Sequence, residues 1–330
     1  MASIPVFVGL DYHDSGVQVC VLGVEGNVLG NRPCLNDLAE ITGYVEGLGS
    51  VVRAGIEACT GSADLAEKLV QHGWSVDLAH PGYVARMKQN PDKTDYGDAR
   101  MLADLERVGY LPRVWLAPEE IRELRRLVRY RQTLVNERRN VRLRIRAILR
   151  EHRLRLNQRA WSQAWLTWVS RVTLGEQSRW IMDQHLLSLQ RLNQEVRSVE
   201  HRLTEATQDD PLIQRLLEQS GIGPVTAWTI RAEIGRFDRF RTGKQLARFC
   251  GLTPRNASSG NRQADAGLIP AGNRGLRAIL IEAAQRLRRC DPRWREFSAC
   301  LIARGKPGSV VAAAVANRWV RWLYHQMQAA

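Results

Sequence analysis

The sequence predicts two kinds of structure in one chain, an α/β domain followed by all-α segments. Three observations carry this expectation. Across residues 1–112, short apolar runs alternate with stretches of helical periodicity. From Pro118 arginine becomes abundant and apolar residues recur at every seventh position. Beyond about Asp210, helical patterns are interrupted by loops marked with glycine and proline. The expected regions are therefore 1–112, 113–209 and 210–330.

In the first region Val6–Leu10 is an apolar run ending in Asp11, and His13-Asp14-Ser15-Gly16 supplies a turn. Val17–Leu22 resumes as a strand, and Glu25-Gly26-Asn27 turns the chain before Val28-Leu29. A helix fits Leu35–Leu48, a strand Val51–Ile56 with Glu57 at its end, and a helix Ala63–His72. A strand over Trp74–Ala79 and a helix from about Thr94 to Val108 complete the set. A three-strand meander followed by strand–helix alternation is the order of a ribonuclease-H-like domain.

The second region is coiled-coil-like. Leu127, Leu134, Val141 and Ile148 are seven apart, with Leu124 and Ile145 at complementary positions, and a second heptad stretch runs through Leu189, Leu192, Val196, Val199 and Leu203. These helices can pair with each other or across subunits. A segment with Trp161, Trp165, Trp168 and Trp180 lies between them and carries no legible role. The third region is mostly helical. Ser220-Gly221-Ile222-Gly223-Pro224 separates two helical patterns, and a polar, glycine-bearing loop runs from Cys250 to Asn273.

The 330 residues carry 48 Lys plus Arg against 34 acidic side chains, a formal charge of +14. That surplus favours a polyanionic partner, nucleic acid before anionic membrane. No run of eighteen apolar residues and no signal-like N-terminus is present, so the chain reads as soluble and cytoplasmic, nucleoid-associated, with no membrane partner. Six scattered cysteines without a Cys-x-x-Cys pair speak against structural zinc or a disulfide framework.

Four carboxylates stand where the predicted fold would gather them. Asp11 ends the first strand, Glu57 ends the strand expected beside it, and Asp95 and Asp98 lie three apart at a helix start, on one face. Crowded carboxylates repel and raise each other's pKa unless a cation lies among them. Mg²⁺ or Mn²⁺ suits such an oxygen-rich site beside a phosphate substrate, and no organic cofactor is expected. Each acid taken alone reads as a turn or cap residue, so the joint placement carries the argument. An actin-like ATPase shares a related fold, but it requires glycine-rich phosphate loops in both halves, and no second one is found.

The segment Gly251-Leu252-Thr253-Pro254-Arg255-Asn256-Ala257-Ser258-Ser259-Gly260, followed by Arg262, Gly267, Gly272-Asn273-Arg274 and Arg277, sets serine beside glycine among arginines. That chemistry suits attack on a phosphodiester, provided a base or metal activates the hydroxyl. No histidine is near in sequence, so the acidic cluster is the expected activator. A serine–glycine loop by itself is a flexible turn.

Asp11, Glu57, Lys93-Thr94-Asp95-Tyr96-Gly97-Asp98-Ala99-Arg100 and the block from Gly251 through Ser259-Gly260 to Gly272-Asn273-Arg274 resemble the DEDD transposases of the "IS-one-ten" insertion-sequence family. The likeness spans nearly the whole chain in order. It implies a RuvC-like domain holding the acidic tetrad, a coiled-coil segment, and a C-terminal transposase domain with a nucleophilic serine, here Ser259, with Ser258 the lesser candidate. It further implies recombination of donor and target DNA guided by a structured non-coding "bridge" RNA. A homo-oligomer, dimer to tetramer, with a composite active site is implied as well. Relatives often carry lysine after the first Asp and before Gly-Asn-Arg, where this chain has Asp14-Ser15 and Pro270. The spacing after Glu57 (Ala58-Cys59-Thr60-Gly61-Ser62) also departs from the shorter form.

Between Arg122 and Arg155 thirteen arginines face three glutamates, so this helix is expected to hold an RNA or DNA backbone, unless it is a solvated coiled-coil face. Candidate nucleic-acid contacts are Lys93, Arg100, Arg125, Arg129, Arg138, Arg142, Arg255, Arg262, Arg274 and Arg277. Gly221 and Gly223 join them if their turn is that of a helix-hairpin-helix rather than a plain connection. Three readings result: a metal-dependent serine recombinase, a junction-resolving nuclease in which water attacks, and a non-catalytic nucleic-acid-binding scaffold.

Overall fold

The computed structural model describes residues 4–87, 94–256 and 265–328. The chain divides into two compact units, Met1–Pro118 and Glu119–Ala330. In the first, β1 (Pro5–His13), β2 (Gly16–Gly23) and β3 (Val28–Cys34) make the antiparallel meander. They are followed by α1 (Leu38–Glu46), β4 (Ser50–Glu57), α2 (Ser62–Gln71), β5 (Val76–Ala79), α3 (Pro81–Met87), α4 (Asp95–Arg107) and β6 (Arg113–Val114). The sheet order is β3-β2-β1-β4-β5-β6, with β4 parallel to β1, β5 parallel to β4, and β6 antiparallel to β5. This is the arrangement the ribonuclease-H-like reading requires, with β1 in the middle.

Boundaries shift where local chemistry overrides periodicity. The first helix starts at Leu38 rather than Leu35 because Asp37 caps it, its carboxylate accepting from Glu40 N at 3.0 Å. β3 continues to Cys34, well past Leu29, along the edge of β2. Helix α3 and strand β6 carry too few residues, seven and two, to show a period, and sequence reading missed both.

Strand alternation builds three layers. Val6, Val8 and Leu10 of β1 and Val17, Val19 and Val21 of β2 pack with Ile41 and Val45 of α1 and Leu65 and Leu69 of α2. On the opposite face, Cys20 and Leu22 meet Ala99 and Ala103 of α4. Gly9 of β1 and Gly55 of β4 are register partners there. A Cβ on Gly9 would lie 1.9 Å from Ala99 O, and one on Gly55 would lie 2.9 Å from Glu106 Cγ. The paired glycines therefore form a trough in which α4 rests directly on the sheet backbone.

Glu106, on the last turns of α4, is buried beneath this contact. Its Oε2 accepts from Arg113 at 3.2 Å, while Oε1 finds no partner among the described residues. Burial, helped by the neighbouring negative charge of Asp77, pushes the Glu106 carboxyl up to about 7.

In the second unit α5 (Glu119–Glu151) is followed by α6 (Gln163–Arg171), α7 (Glu176–Thr207), α8 (Pro211–Leu217), α9 (Pro224–Ile234) and α10 (Gly243–Phe249). The strands β7 (Pro254–Asn256) and β8 (Asp265–Leu268) pair as an antiparallel ribbon, after which come α11 (Arg274–Cys290), α12 (Pro292–Ala303) and α13 (Gly308–Gln328). The two heptad helices pair with each other: Leu134, Val141, Ile145 and Leu149 of α5 pack with Met182, Leu189, Leu192, Val196 and Val199 of α7. The tryptophan-rich segment finishes this seam, since Trp165 and Val169 of α6 are buried in it. A second core joins the base of α5 and α7 to α8–α13 around the buried Trp228 and Trp319. The stretch expected as one polar loop from Cys250 to Asn273 thus contains a ribbon, whose strands are too short and polar to register as periodic.

Two predictions follow from the trough. Gly9→Ala, which drives a methyl into the backbone of α4, should destabilise this unit by roughly 3 kcal/mol, measured as hydrogen-exchange protection of β1 and α4 amides. Glu106 is raised in the folded state, so the native unit binds the extra proton between pH 4.5 and about 7 and loses stability as pH rises through that window. Glu106→Gln should therefore be more stable than the parent by about 1–3 kcal/mol at pH 8, with the difference vanishing by pH 4.5. A constant difference across pH would show that the Glu106 carboxyl has the same pKa folded and unfolded.

Candidate active site

The end of β1 and the start of α4 meet on the glycine-trough face. Asp11 and His13 are two apart on β1 and so project to one side of the sheet. Asp95 opens α4, whose N-cap Thr94 accepts from Gly97 N through Oγ1 at 3.2 Å. His13 Nε2 lies 3.4 Å from Asp11 Oδ2 and 3.5 Å from Asp95 Oδ1. One ligand atom from each of the three residues falls within 4.8 Å of the others. The start of α4 is also tied from the meander. Gln18, the register partner of Asp11, donates to Asn31 Oδ1 at 2.7 Å, and Asn31 Nδ2 donates to Tyr96 O at 3.0 Å.

The Asp11 side chain is only 13% exposed, against 44% for His13 and 56% for Asp95. Its Oδ2 is buried without a hydrogen-bond partner among the described residues. Burial raises the Asp11 pKa, His13 opposes that, and the charges of Asp98 and Asp95 push it further up. Two of the four predicted acids are thus brought together directly, and Asp98 is coupled to them through its charge. Glu57 ends β4, one step beyond the Leu10–Ile56 register pair, and its charge and that of Asp11 both reach the Cys59 thiol. Glu57 and Asp98 stand outside the set of atoms within 4.8 Å of one another. His13 was missed by sequence reading, which ended the strand at Asp11 and placed His13 in the turn, whereas β1 runs on to His13.

Lys93, Ser258, Ser259, Gly260 and Arg262 lie outside the described residues. The nucleic-acid candidates on α5 all make contacts within the second unit. Arg129 grips Glu233 of α9 with two bonds of 3.0 and 3.1 Å. Arg125 is mostly buried, donates to Ala232 O at 3.0 Å and sits 3.7 Å from Glu233. Arg138 reaches Asn193 Oδ1 of α7 at 3.4 Å, and Arg142 covers the face of Trp161, 5.1 Å from the ring centroid. Arg277 is likewise engaged, donating to Ala271 O at 2.7 Å. Arg100, Arg255 and Arg274 are exposed.

Arg274 instead joins Arg131 and Arg286 along a groove of about 760 Å³ between α5, α9 and α11. The Gly221–Pro224 turn opens onto it. Gly221 has φ +81° and packs against Leu287, and Gly223 is the N-cap of α9. Arg274 and Arg286 beside two helix starts, with Arg131 held by Glu200 and one acid, Glu282, in the lining, give the groove a polarity that suits a phosphate backbone.

Comparison with known proteins bears on this arrangement. Residues 8–153 match the DEDD-type family described as "Transposase", and residues 213–299 match the "Transposase IS116/IS110/IS902 family". A "Probable family 20 transposase" of Pseudomonas aeruginosa is 31% identical, the match covering 82% of each chain. The chain belongs to this transposase family. The transposase of insertion sequence element IS1111A of Coxiella burnetii is 26% identical over 95% of this chain and 88% of that protein. That of element IS1328 of Yersinia enterocolitica is 25% identical over 81% and 80%. As an IS110-family transposase the chain is an enzyme that acts on DNA, and its DEDD domain implies a divalent metal ion.

The residues present fit such an ion. Two carboxylates and one imidazole converge, and the buried Asp11 Oδ2, 3.4 Å from His13 Nε2 but without a well-formed hydrogen bond, is an oxygen that a cation would satisfy. A further prediction follows. Asp11→Asn removes a buried charge and should raise the metal-free melting temperature by about 2–4 °C, while abolishing the rise expected of the parent on adding Mn²⁺. A structural aspartate would do the reverse on the first count.

Proposed function

We propose that this transposase cuts and rejoins DNA strands through a covalent phosphoserine intermediate, with Asp11, Glu57, Asp95 and Asp98 holding Mg²⁺ or Mn²⁺ and Ser259 as nucleophile. The observation that carries the reading is the convergence of Asp11, His13 and Asp95, with the buried Asp11 Oδ2 facing His13 yet accepting no well-formed hydrogen bond. His13 either joins the ligands or holds the Asp11 carboxylate in its rotamer. The bound ion would polarise the scissile phosphodiester and lower the cost of charge on its oxygens.

Ser259 Oγ forms an ester to phosphorus as the strand's own P–O bond breaks, and the leaving oxygen departs with the severed strand. The hydroxyl proton of Ser259 passes to a base at the acidic centre. Because one ester replaces another, the reverse attack by a strand-end hydroxyl restores DNA and frees the serine without a nucleotide cofactor. The backbone would be held in the groove of Arg131, Arg274 and Arg286, where each phosphate neutralised makes binding more salt-sensitive.

Within the same reading, strand choice is made by a structured guide RNA from the element, and the active protein is an oligomer of two to four copies. The test is direct. Ser259→Ala should abolish both the covalent protein–DNA adduct and strand exchange in a purified reaction. A variant that still nicks DNA would replace the recombinase by a hydrolytic nuclease. Sequencing of RNA that co-purifies from a native host should return transcript from the gene's flank, and a random cellular population would remove the guide from the proposal.

A further inference from the structure

The C-terminal helices α12 and α13 enclose a cavity of about 470 Å³ on the surface of the second unit. Along α13, Arg318, Arg321, Trp322 and His325 fall at i, i+3, i+4 and i+7 and so share one face. From α12, Arg293, Trp294 and Phe297 complete the lining. Every lining residue is an arginine, an aromatic or histidine, and none is acidic.

The guanidinium of Arg293 lies 5.8 Å from the Trp294 ring centre and 5.7 Å from that of Trp322, so it stands between two indoles. The Arg318 guanidinium lies 4.3 Å over Phe297. Several other arginines of this unit are spent on carboxylates: Arg129 on Glu233, Arg131 on Glu200, Arg179 on Asp183, Arg231 on Asp210. Arg293, Arg318 and Arg321 have no carboxylate partner among the described residues. Asp291, the nearest acid in sequence, is occupied as the α12 cap, accepting from Arg293 N and Trp294 N.

Three unneutralised guanidiniums around one cavity repel one another, a cost that a polyanion relieves. An acidic peptide would satisfy the charge but gives the aromatic faces and guanidinium planes nothing to stack on. Duplex nucleic acid satisfies the charge but keeps its bases stacked inside the helix. Only an unpaired strand offers phosphates and free base faces together, and stacking on aromatic or guanidinium planes tolerates every base. The volume is within the roughly 300–1,000 Å³ of small-ligand sites, enough for an extruded base.

We infer that the α12–α13 cavity is a binding site for single-stranded nucleic acid, in which an unpaired base stacks beside Trp322 and Arg293 while Arg318 and Arg321 hold the flanking phosphates. Neither the acidic centre nor Ser259 contributes to it. Its failure and the failure of the recombinase reading are therefore separable.

The test uses the purified full-length chain and fluorescent homopolymers of about 12 nucleotides, the reach of a site of this kind. Arg293→Glu/Arg318→Glu should weaken single-strand binding by about tenfold or more, leave duplex of the same length within about twofold, and leave the melting curve unchanged. Arg318→Lys, which keeps charge but loses the planar stack, should give an intermediate loss. In the parent protein, a 5-iodouracil-substituted strand should photocrosslink to Trp322 or His325, located by mass spectrometry. Ribonucleotide and deoxyribonucleotide arms tell the sources apart: tighter RNA binding points to a transcript, tighter DNA binding to a displaced strand. Equal weakening of single strand and duplex would overturn the inference, as would crosslinks confined to segments outside α12 and α13.

Discussion

The first unit depends on the absence of two methyl groups. Gly9 and Gly55 face each other on neighbouring parallel strands, and α4 lies so close above them that any side chain would collide with its backbone or with Glu106. Helices normally pack on sheets through a layer of side chains. Here the layer is removed at one point, and the helix axis drops toward the sheet. Asp95 and Asp98 in the first turn of α4 are thereby brought down to the level of Asp11 at the end of β1. The Gln18–Asn31–Tyr96 chain of hydrogen bonds fixes the same turn from the meander side. Positioning the acids is thus done by backbone contact and by two uncharged amides, neither of which adds charge to an already crowded site.

The opposite end of α4 shows the other side of that close packing. Glu106 is drawn under the helix with one oxygen on Arg113 and the other unsatisfied, and its raised pKa measures the strain of keeping a carboxylate there. Asp11 shares the feature of a buried oxygen that accepts no well-formed hydrogen bond, but its neighbours are His13 and other acids rather than arginines. A lone buried acid relieves itself by taking up a proton. Acids that face one another across a gap are relieved equally well by a metal ion, and only the second arrangement has ligand atoms from separate elements converging on one point.

Much of this was legible in the sequence, for a physical reason. Strand alternation and heptad spacing are imposed by burial, so Val6, Val8, Leu10 and the Leu189–Leu203 seam announced their elements directly. The approach of Asp11 and Asp95 was legible because both stand near element ends, where a side chain has few packing duties. The fate of individual arginines was not legible. Charge density along α5 is the same whether a guanidinium faces solvent or Glu233, and only the folded neighbours decide that Arg125 and Arg129 reach α9. His13 escaped notice because a lone histidine next to a turn has no pattern of its own. The ribbon β7–β8 escaped because its strands rely on each other rather than on a buried face.

The distribution of arginine partners also separates two roles that composition merges. A formal charge of +14 could be spread evenly, in which case binding would be diffuse. Instead the long helix α5 neutralises several of its guanidiniums against α7 and α9, so that a helix rich in charge becomes a structural spine. Two concave surfaces of the second unit keep arginines without a carboxylate partner among the described residues: Arg274 and Arg286 beside the Gly223 turn, and Arg293, Arg318 and Arg321 between α12 and α13. Desolvated ion pairs inside a unit add little net stability yet fix its geometry, whereas an unpaired arginine on a concave wall keeps its full field for a ligand. The first groove has helix starts and no exposed rings, which suits a phosphate backbone of any sequence. The second has rings on both walls, and a ring has no use for a phosphate. The difference in wall chemistry, not the total charge, is what assigns them different strands.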